Sequence, residues 1–353
     1  MITQELFAAW LRCETEAFLK VVRTDGGPRE FLDWQQGMFD DYKHKSSLRL
    51  RANYRTDECG RPTSSLNDLS IGKYRIVIDC VVRTERIQAR IHALERIPAT
   101  KTRQYSPYIP IRFVPSQKIT KHDKLLLAFD ALALFMASGK EPLFGRIIHG
   151  VEQKVVAVRL KALMNIVSSL IERLEVQQAS RTPPQLILNR HCVECEVPTR
   201  CRQVALEKDE LSLLSGMTAK ERKRQHDKGI FSVAQLSYTF RPRRKPRRST
   251  TRQEKYHHAL KALAIRERTI YVAGRPELSL TGTSVYLDVE GVPDRDLYYL
   301  IGLRVKTTVG YVQHSFWANE PSEEGEIWAS FVRTLARFEN PQLLITAATR
   351  PRS

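Results

Sequence analysis

Three cysteines, Cys192, Cys195 and Cys201, are packed into one short stretch, and a fourth, Cys13, lies far upstream near the amino terminus. Thiolates are soft ligands that favour iron–sulfur clusters or zinc. A structural zinc site usually draws its four ligands from two short loops close in sequence. The spacing Cys13 … Cys192-x2-Cys195-x5-Cys201 makes a different demand. If one group takes all four, everything between them must fold so that the ends of a whole domain meet. Cys59 and Cys80 match no ligand spacing and read as structural.

With 353 residues, 42% of them hydrophobic, the chain can build two or three domains with real cores. Lys and Arg exceed Asp and Glu by 57 to 39, a formal net charge of +18. That excess favours a polyanionic partner through phosphate contacts and counterion release. No basic amphipathic helix with a clean apolar face stands out, which argues against a membrane surface. The start, Met1-Ile-Thr-Gln-Glu5, lacks a basic region followed by an apolar stretch, so no signal peptide is expected. The longest apolar run, Leu125 to Ala137, is interrupted by Asp130 and is too short to span a bilayer. A cytoplasmic protein is therefore expected, where thiols stay reduced and clustered cysteines mean metal or redox chemistry.

Periodicity predicts an amphipathic helix over Gln4–Lys20, a hairpin over Tyr74–Val82 and Ile87–Ile97, and a third strand over Ile109–Val114. A helix over Lys121–Ala137 should end at Gly139, followed by a strand over Pro142–Gly150. A long helix over Val155–Leu174 and a short strand over Leu186–Asn189 should then lead into the Cys192 loop. This order suggests a mixed α/β domain over residues 1–205.

The surroundings of the cysteines carry a resemblance. Leu11-Arg12-Cys13 followed by Ala17-Phe18-Leu19-Lys20, and Arg190-His191-Cys192-Val-Glu-Cys195 with Pro198 before Cys201, resemble the RecB-like nucleases of the AddB and CRISPR-associated type. Asp123-Lys-Leu-Leu-Leu-Ala-Phe129, Gly139, Gly145-Arg-Ile-Ile-His149 and Pro183-Pro184 come in the same order as in that family. The resemblance implies a PD-(D/E)XK, restriction-endonuclease-like mixed sheet with helices, and a [4Fe-4S] cluster held by Cys13, Cys192, Cys195 and Cys201, with zinc as the alternative. It also implies a DNA substrate and a Mg2+ or Mn2+ site. The strands that match the catalytic ones depart from the pattern: His92 stands at the expected Asp, Ile109-Pro-Ile-Arg112 offers no carboxylate, and Glu95 and Arg112 look like remnants. A degenerate first nuclease core is the simpler reading. His191 reads as a neighbour of the cysteine loop rather than a ligand.

Residues 206–280 change texture. Leu214-Ser-Gly216 and Lys228-Gly229-Ile230, flanked by short helices within Leu211–Leu236, resemble a helix-hairpin-helix unit, which would hold a DNA phosphate on backbone N–H groups. Arg241, Arg243, Arg244, Lys245, Arg247 and Arg248 form an extended basic arm, broken by two prolines that forbid a continuous helix. A modest helix over Tyr256–Arg266 follows. In residues 281–353, strands over Val285–Val289, Leu297–Val305 and Gly310–Trp317, a helix over Glu323–Phe338 and a strand from Leu343 are expected. Asp288 and Glu290 share one strand face at period two, as the first motif of two-metal phosphodiester hydrolysis requires. This stretch resembles the front part of an RNase H-like exonuclease domain, with Asp288 and Glu290 as its catalytic, metal-binding pair. The later carboxylates of that family find no counterpart before Ser353, so the third unit reads as truncated. Two other readings remain open: a non-catalytic iron–sulfur DNA-binding scaffold, and the product of a decayed gene.

Overall fold

The computed structural model describes residues 1–22, 30–60, 74–97, 108–180, 182–241, 258–271, 281–292 and 297–345. Two mixed α/β sheets, separated by a small helical module, organise them.

The first sheet begins with β1 (Ile2–Thr3), which pairs parallel to the start of β4. The expected first helix is in fact two, α1 (Gln4–Arg12) and α2 (Glu14–Val21). The break falls at Cys13, whose extended backbone serves as the last cap of one helix and the first cap of the other. Thr3 starts α1 by accepting a hydrogen bond from the Leu6 amide. A 22-residue helix without a strong apolar stripe in the sequence, α3 (Glu30–Arg51), precedes β2 (Cys59–Gly60).

The predicted hairpin is β3 (Ile76–Arg83) and β4 (Ile87–Arg96), antiparallel, with β5 (Tyr108–Val114) antiparallel to β4 on its other side. The next helix, α4 (Lys121–Ser138), opens with a Thr120–Asp123 capping box and stops at Gly139, whose φ of 69° is the left-handed cap glycine tolerates. Then β6 (Phe144–His149) runs parallel to β5, and β7 (Lys154–Arg159) pairs antiparallel to β6. The strand order is β2-β3-β4-β5-β6-β7.

Two expectations fail here. Residues 154–159 form a strand and not the start of a helix; helix α5 begins at Lys161 and runs to Ser180. Val155 and Val156 are apolar neighbours that suit either period, and pairing with β6 decided for the strand. Residues 186–189 form no strand; the Leu188 amide donates instead to the Ser212 hydroxyl.

Both faces of this sheet are covered. On one side α1, α4 and α5 bury Phe7, Phe129, Ile91 and Leu127, with the Phe7 and Phe129 rings stacked at 4.8 Å. On the other, Tyr42 and Leu50 of α3 and Tyr54 just after it pack against Ile78, Phe113 and Ile148. Every residue of β5 is buried as a consequence.

Helix α6 (Pro198–Glu207) closes the first domain; the helical module contains α7 (Ala219–His226), α8 (Val233–Ser237) and α9 (His258–Glu267). Leu211, Leu214, Val233, Leu236 and Ala262 form its own core. Arg241 is described and exposed; Arg243, Arg244, Lys245, Arg247 and Arg248 lie outside the described residues.

The second sheet has β8 (Thr283–Val292), β9 (Leu297–Lys306) and β10 (Tyr311–Trp317) as an antiparallel meander. Helix α10 (Glu324–Leu335) then returns the chain to β11 (Pro341–Ile345), parallel to β8, in the order β10-β9-β8-β11. Val285, Ile301, Leu303 and Val305 pack against Ile327 and Phe331 of α10, so the helix covers one face. No helix among the described residues is long and apolar enough to cross a membrane.

Candidate functional site

Cys13, Cys192, Cys195 and Cys201 line one pocket. Cys13 reaches it from the break between α1 and α2. Cys192 sits in a short 3-10 turn, Arg190–Glu194, whose entry is capped by Asn189. Cys195 follows that turn, and Cys201 lies in the first turns of α6, which opens with Pro198. All four are free thiols.

The two ends of the domain are fastened beside the pocket by ordinary contacts as well. Asn189 donates from its side-chain amide to the Arg12 carbonyl at 3.2 Å, and Lys20 pairs with Glu196 at 3.2 Å. Leu19 packs with Val197 and Cys201. The pocket is therefore preformed by the fold.

The sulfurs sit in a setting that a ligand group would complete. The Asn189 backbone N–H donates to the Cys192 sulfur at 3.3 Å. Burial raises the Cys195 thiol, against a lowering by the Val197 amide, with Glu16, Cys13 and Cys192 adding to the rise. Burial, then the neighbouring Cys195, Cys13 and Cys192, pushes Cys201 up to about 11. Near neutral pH these two thiols keep their protons until a cation displaces them, and any metal taken up here releases protons. Among the described residues, no three His, Cys, Asp or Glu side chains are grouped as for a single metal ion. Four soft donors with amides aimed at sulfur fit a cysteine-ligated group.

His191 lines the same pocket, with its imidazole pushed toward the neutral form by burial and then by Arg190. Cys80 is buried in the first core, its thiol raised to about 12 by burial, as a structural cysteine should be.

The second group of expected residues lies on the α3 face of the first sheet. His92 is buried, accepts the Phe113 amide on Nδ1 at 3.0 Å, and is flanked by the Phe39 and Phe113 rings. Burial, then the charges of Arg112, Lys43 and Arg90, hold it well below the usual imidazole range, so it is neutral. The expectation of a site without a carboxylate needs correcting. The register of β3 on β4, Ile78 on Ala93 and Cys80 on Ile91, sets Asp79 opposite His92. Asp79 has a φ of 54°, a left-handed backbone unusual for a residue other than glycine, and its carboxylate is paired with Lys43 of α3. The sequence did carry a signal: Asp79 interrupts the apolar run Ile76-Val-Ile-Asp-Cys-Val-Val82. Lys43 had none.

Glu95 and Arg112, read as remnants, are occupied elsewhere. Glu95 pairs with Arg146 and hydrogen-bonds Tyr54. Arg112 lies on the opposite side of β5, donating at 3.1 Å to Asp130, which also accepts from Gln4. Glu95, Arg112 and His92 thus do not converge.

Asp288 and Glu290 do share a face. Asp288 pairs with Gly302, Glu290 with Leu300, and both are exposed on the side away from α10. Tyr299 lies close by: burial raises its phenol first, followed by the charges of Glu290, Asp288 and Glu194. Glu194 belongs to the cysteine loop, so the first and third units meet near these carboxylates. Trp34 of α3 joins the contact, 5.1 Å from the Tyr299 ring and 6.0 Å from that of Trp317.

In the helical module, Gly216 and Gly229 take positive φ of 85° and 76°, and Glu210 and Ser232 form an isolated antiparallel bridge. Helix α8 has only five residues, too short to make a phosphate site by its amino terminus alone.

Known protein families and curated proteins give no match to this chain.

Proposed function

We propose that this chain is an iron–sulfur, RecB-like nuclease relative that acts on DNA, with Cys13, Cys192, Cys195 and Cys201 holding a [4Fe-4S] cluster. The observation that carries the reading is the convergence of these four thiols, from the first helices and the last loop of one domain, on one pocket. A bound cluster would serve as a cross-link. Closing a loop this long removes roughly 5 kcal/mol of unfolded-state freedom on the chain-entropy estimate.

The topology supports the family reading. A helix, three antiparallel strands, a second helix and a strand parallel to the third is the order expected of a PD-(D/E)XK core. The second sheet, three antiparallel strands, a helix and a strand parallel to the first, is an order compatible with an RNase H-like domain. In that domain Asp288 and Glu290 would be the pair that takes Mg2+ or Mn2+ and polarises a phosphodiester. The +18 charge supports a nucleic-acid partner.

One observation favours the non-catalytic scaffold for the first domain. Asp79 is neutralised by Lys43 and Glu95 by Arg146, while His92 spends its lone pair on a backbone amide. Among the described residues, these contacts leave no carboxylate beside His92 free to take a metal.

The test is iron and acid-labile sulfide analysis of the purified full chain, with its visible spectrum. Broad absorption near ~400 nm and about four irons per chain are expected. Colourless protein with one zinc per chain overturns the cluster. Duplex binding and Mn2+-dependent digestion, each measured with Asp288→Asn in parallel, then separate nuclease from scaffold.

A further inference from the structure

Among the described residues, the second sheet has one face covered by α10 and one left open except where Trp34 meets Tyr299 and Trp317. Strand period two, with the register given above, sets Tyr286, Asp288 and Glu290 of β8 on the open face beside Arg304, Gly302 and Leu300 of β9. The β10 partners of those β9 residues are Gln313, Ser315 and Trp317, and Tyr311 pairs with Lys306 one row further on. Tyr311 is 54% exposed, Trp317 46% and Tyr286 42%. An exposed aromatic on each of several rows is not the usual polar outer face of a sheet.

The rows differ in a way that suggests a built surface. At one end Tyr286 and Tyr311 lie 6.4 Å apart, with the Arg304 guanidinium 4.4 Å over the Tyr311 ring and Lys306 alongside. At the other end stands Trp317, grouped with Tyr299 and Trp34. Between them the floor is small: Gly302 and Ser315, next to Asp288. A side-chain carbon added at Gly302 would meet nothing nearer than the Asp288 carbonyl at 3.7 Å. From Tyr311 to Trp317 the strand advances about 20 Å at roughly 3.4 Å per residue. The result is a shallow trough with aromatic ends, cations at one of them and a carboxylate pair along its side.

We propose that this trough is a stacking surface for single-stranded nucleic acid, whose bases lie on Tyr286, Tyr311 and Trp317 while Arg304 and Lys306 meet its phosphates. Aromatic faces accept any base, and a sheet surface with aromatics and flanking cations suits unpaired strands, whose bases are free to splay. Duplex DNA cannot present its base faces to such a surface. The trough runs past Asp288 and Glu290, so a strand seated on it brings its backbone to those carboxylates. The proposal rests on the reading that the chain acts on nucleic acid, and it names the form of substrate that the third unit takes.

The experiment is fluorescence anisotropy of the full chain in EDTA, with labelled oligo(dT), oligo(U) and a duplex of equal length. Tyr311→Ala should weaken binding to single strands roughly ten-fold, the effect of losing one stacked base, and leave duplex binding unchanged. Gly302→Val, which raises the floor where a Cβ meets Asp288 only at van der Waals distance, should do the same, and Trp317→Phe should retain most of the affinity. Thermal unfolding of each variant checks that the fold survives. Equal losses on single strand and duplex, or no loss on either, overturn the trough while leaving the proposed function standing. Failure of the unaltered chain to bind any of the three probes overturns the proposed function, and the trough with it. Comparison of oligo(dT) with oligo(U) tells DNA from RNA.

Discussion

The two sheets use the same grammar of strands and helices, yet one is sealed and the other is open. In the first, α3 closes one face and α1, α4 and α5 the other, so β5 is buried along its whole length. Among the described residues of the second, α10 covers one face only, and β10 is exposed or half-exposed throughout. The sealed sheet can bury ionic groups, such as Asp130 with Arg112 and Gln4, at the cost of fixing them. The open sheet leaves Asp288 and Glu290 in solvent, where they are accessible to a metal or substrate. Asp79, Glu95 and Asp130 of the first domain are held in structural pairs, whereas Asp288 and Glu290 of the third unit stand exposed.

Phe129→Ala should break the sealed sheet most severely. The ring is fully buried and stacked on Phe7, so about 3–5 kcal/mol should be lost in denaturant unfolding. Val312→Ala on β10, where the side chain is largely exposed, should change stability by no more than about 0.5 kcal/mol. Similar losses at both sites would erase the distinction drawn between the sheets.

Cys195→Ser should come next, acting on the fastening between the ends of the first domain. It is expected to abolish the visible chromophore and lower the unfolding midpoint, because binding energy at such a site is folding energy. Full colour in the variant would remove Cys195 from the ligand set. The Asn189–Arg12 and Lys20–Glu196 contacts should keep the variant folded at low temperature.

A pH profile sharpens the comparison further. Burial raises the Asp130 carboxyl to about 7, against the opposing pull of Arg112 and Gln4. The folded chain thus keeps a proton that the unfolded chain loses near pH 4. Stability from this group is fully present below that value and is lost as the pH rises through about 7. Asp130→Asn should flatten the stability profile between about pH 4 and 7. An unchanged slope in the variant would assign the dependence to other groups.

The smallest effect expected is on salt dependence. Duplex affinity should fall with a slope near −0.9 per neutralised phosphate, and replacing Arg243, Arg244, Arg247 and Arg248 by Gln should flatten it by a few units. An unaltered slope would move the duplex contact from the basic arm to the described surface.

Much of the secondary structure was readable along the chain. The β3–β4 hairpin, β5, α4 and the β8–β9–β10 meander all follow local periodicity, and Gly139 marks a helix end through its own backbone freedom. Reading failed where a segment suited two periods, as at Val155–Val156, or where a cysteine interrupted one helix, as at Cys13. It also missed α3, which has a weak stripe yet supplies Tyr42, Lys43 and Leu50 to one face of the sheet.

By itself the sequence determined the identity of the four thiols, the positive charge and the shared face of Asp288 and Glu290, because ligand type, net charge and strand period are properties of residues and their spacing. Only the tertiary structure decided that Cys13 meets the Cys192–Cys201 loop, that Asp79 faces His92 and is claimed by Lys43, and that one sheet is closed while the other lies open. Those outcomes depend on contacts between residues dozens to more than a hundred positions apart. No local pattern encodes which face a distant helix will cover, and that choice determines whether a carboxylate becomes a structural ion pair or remains free to act.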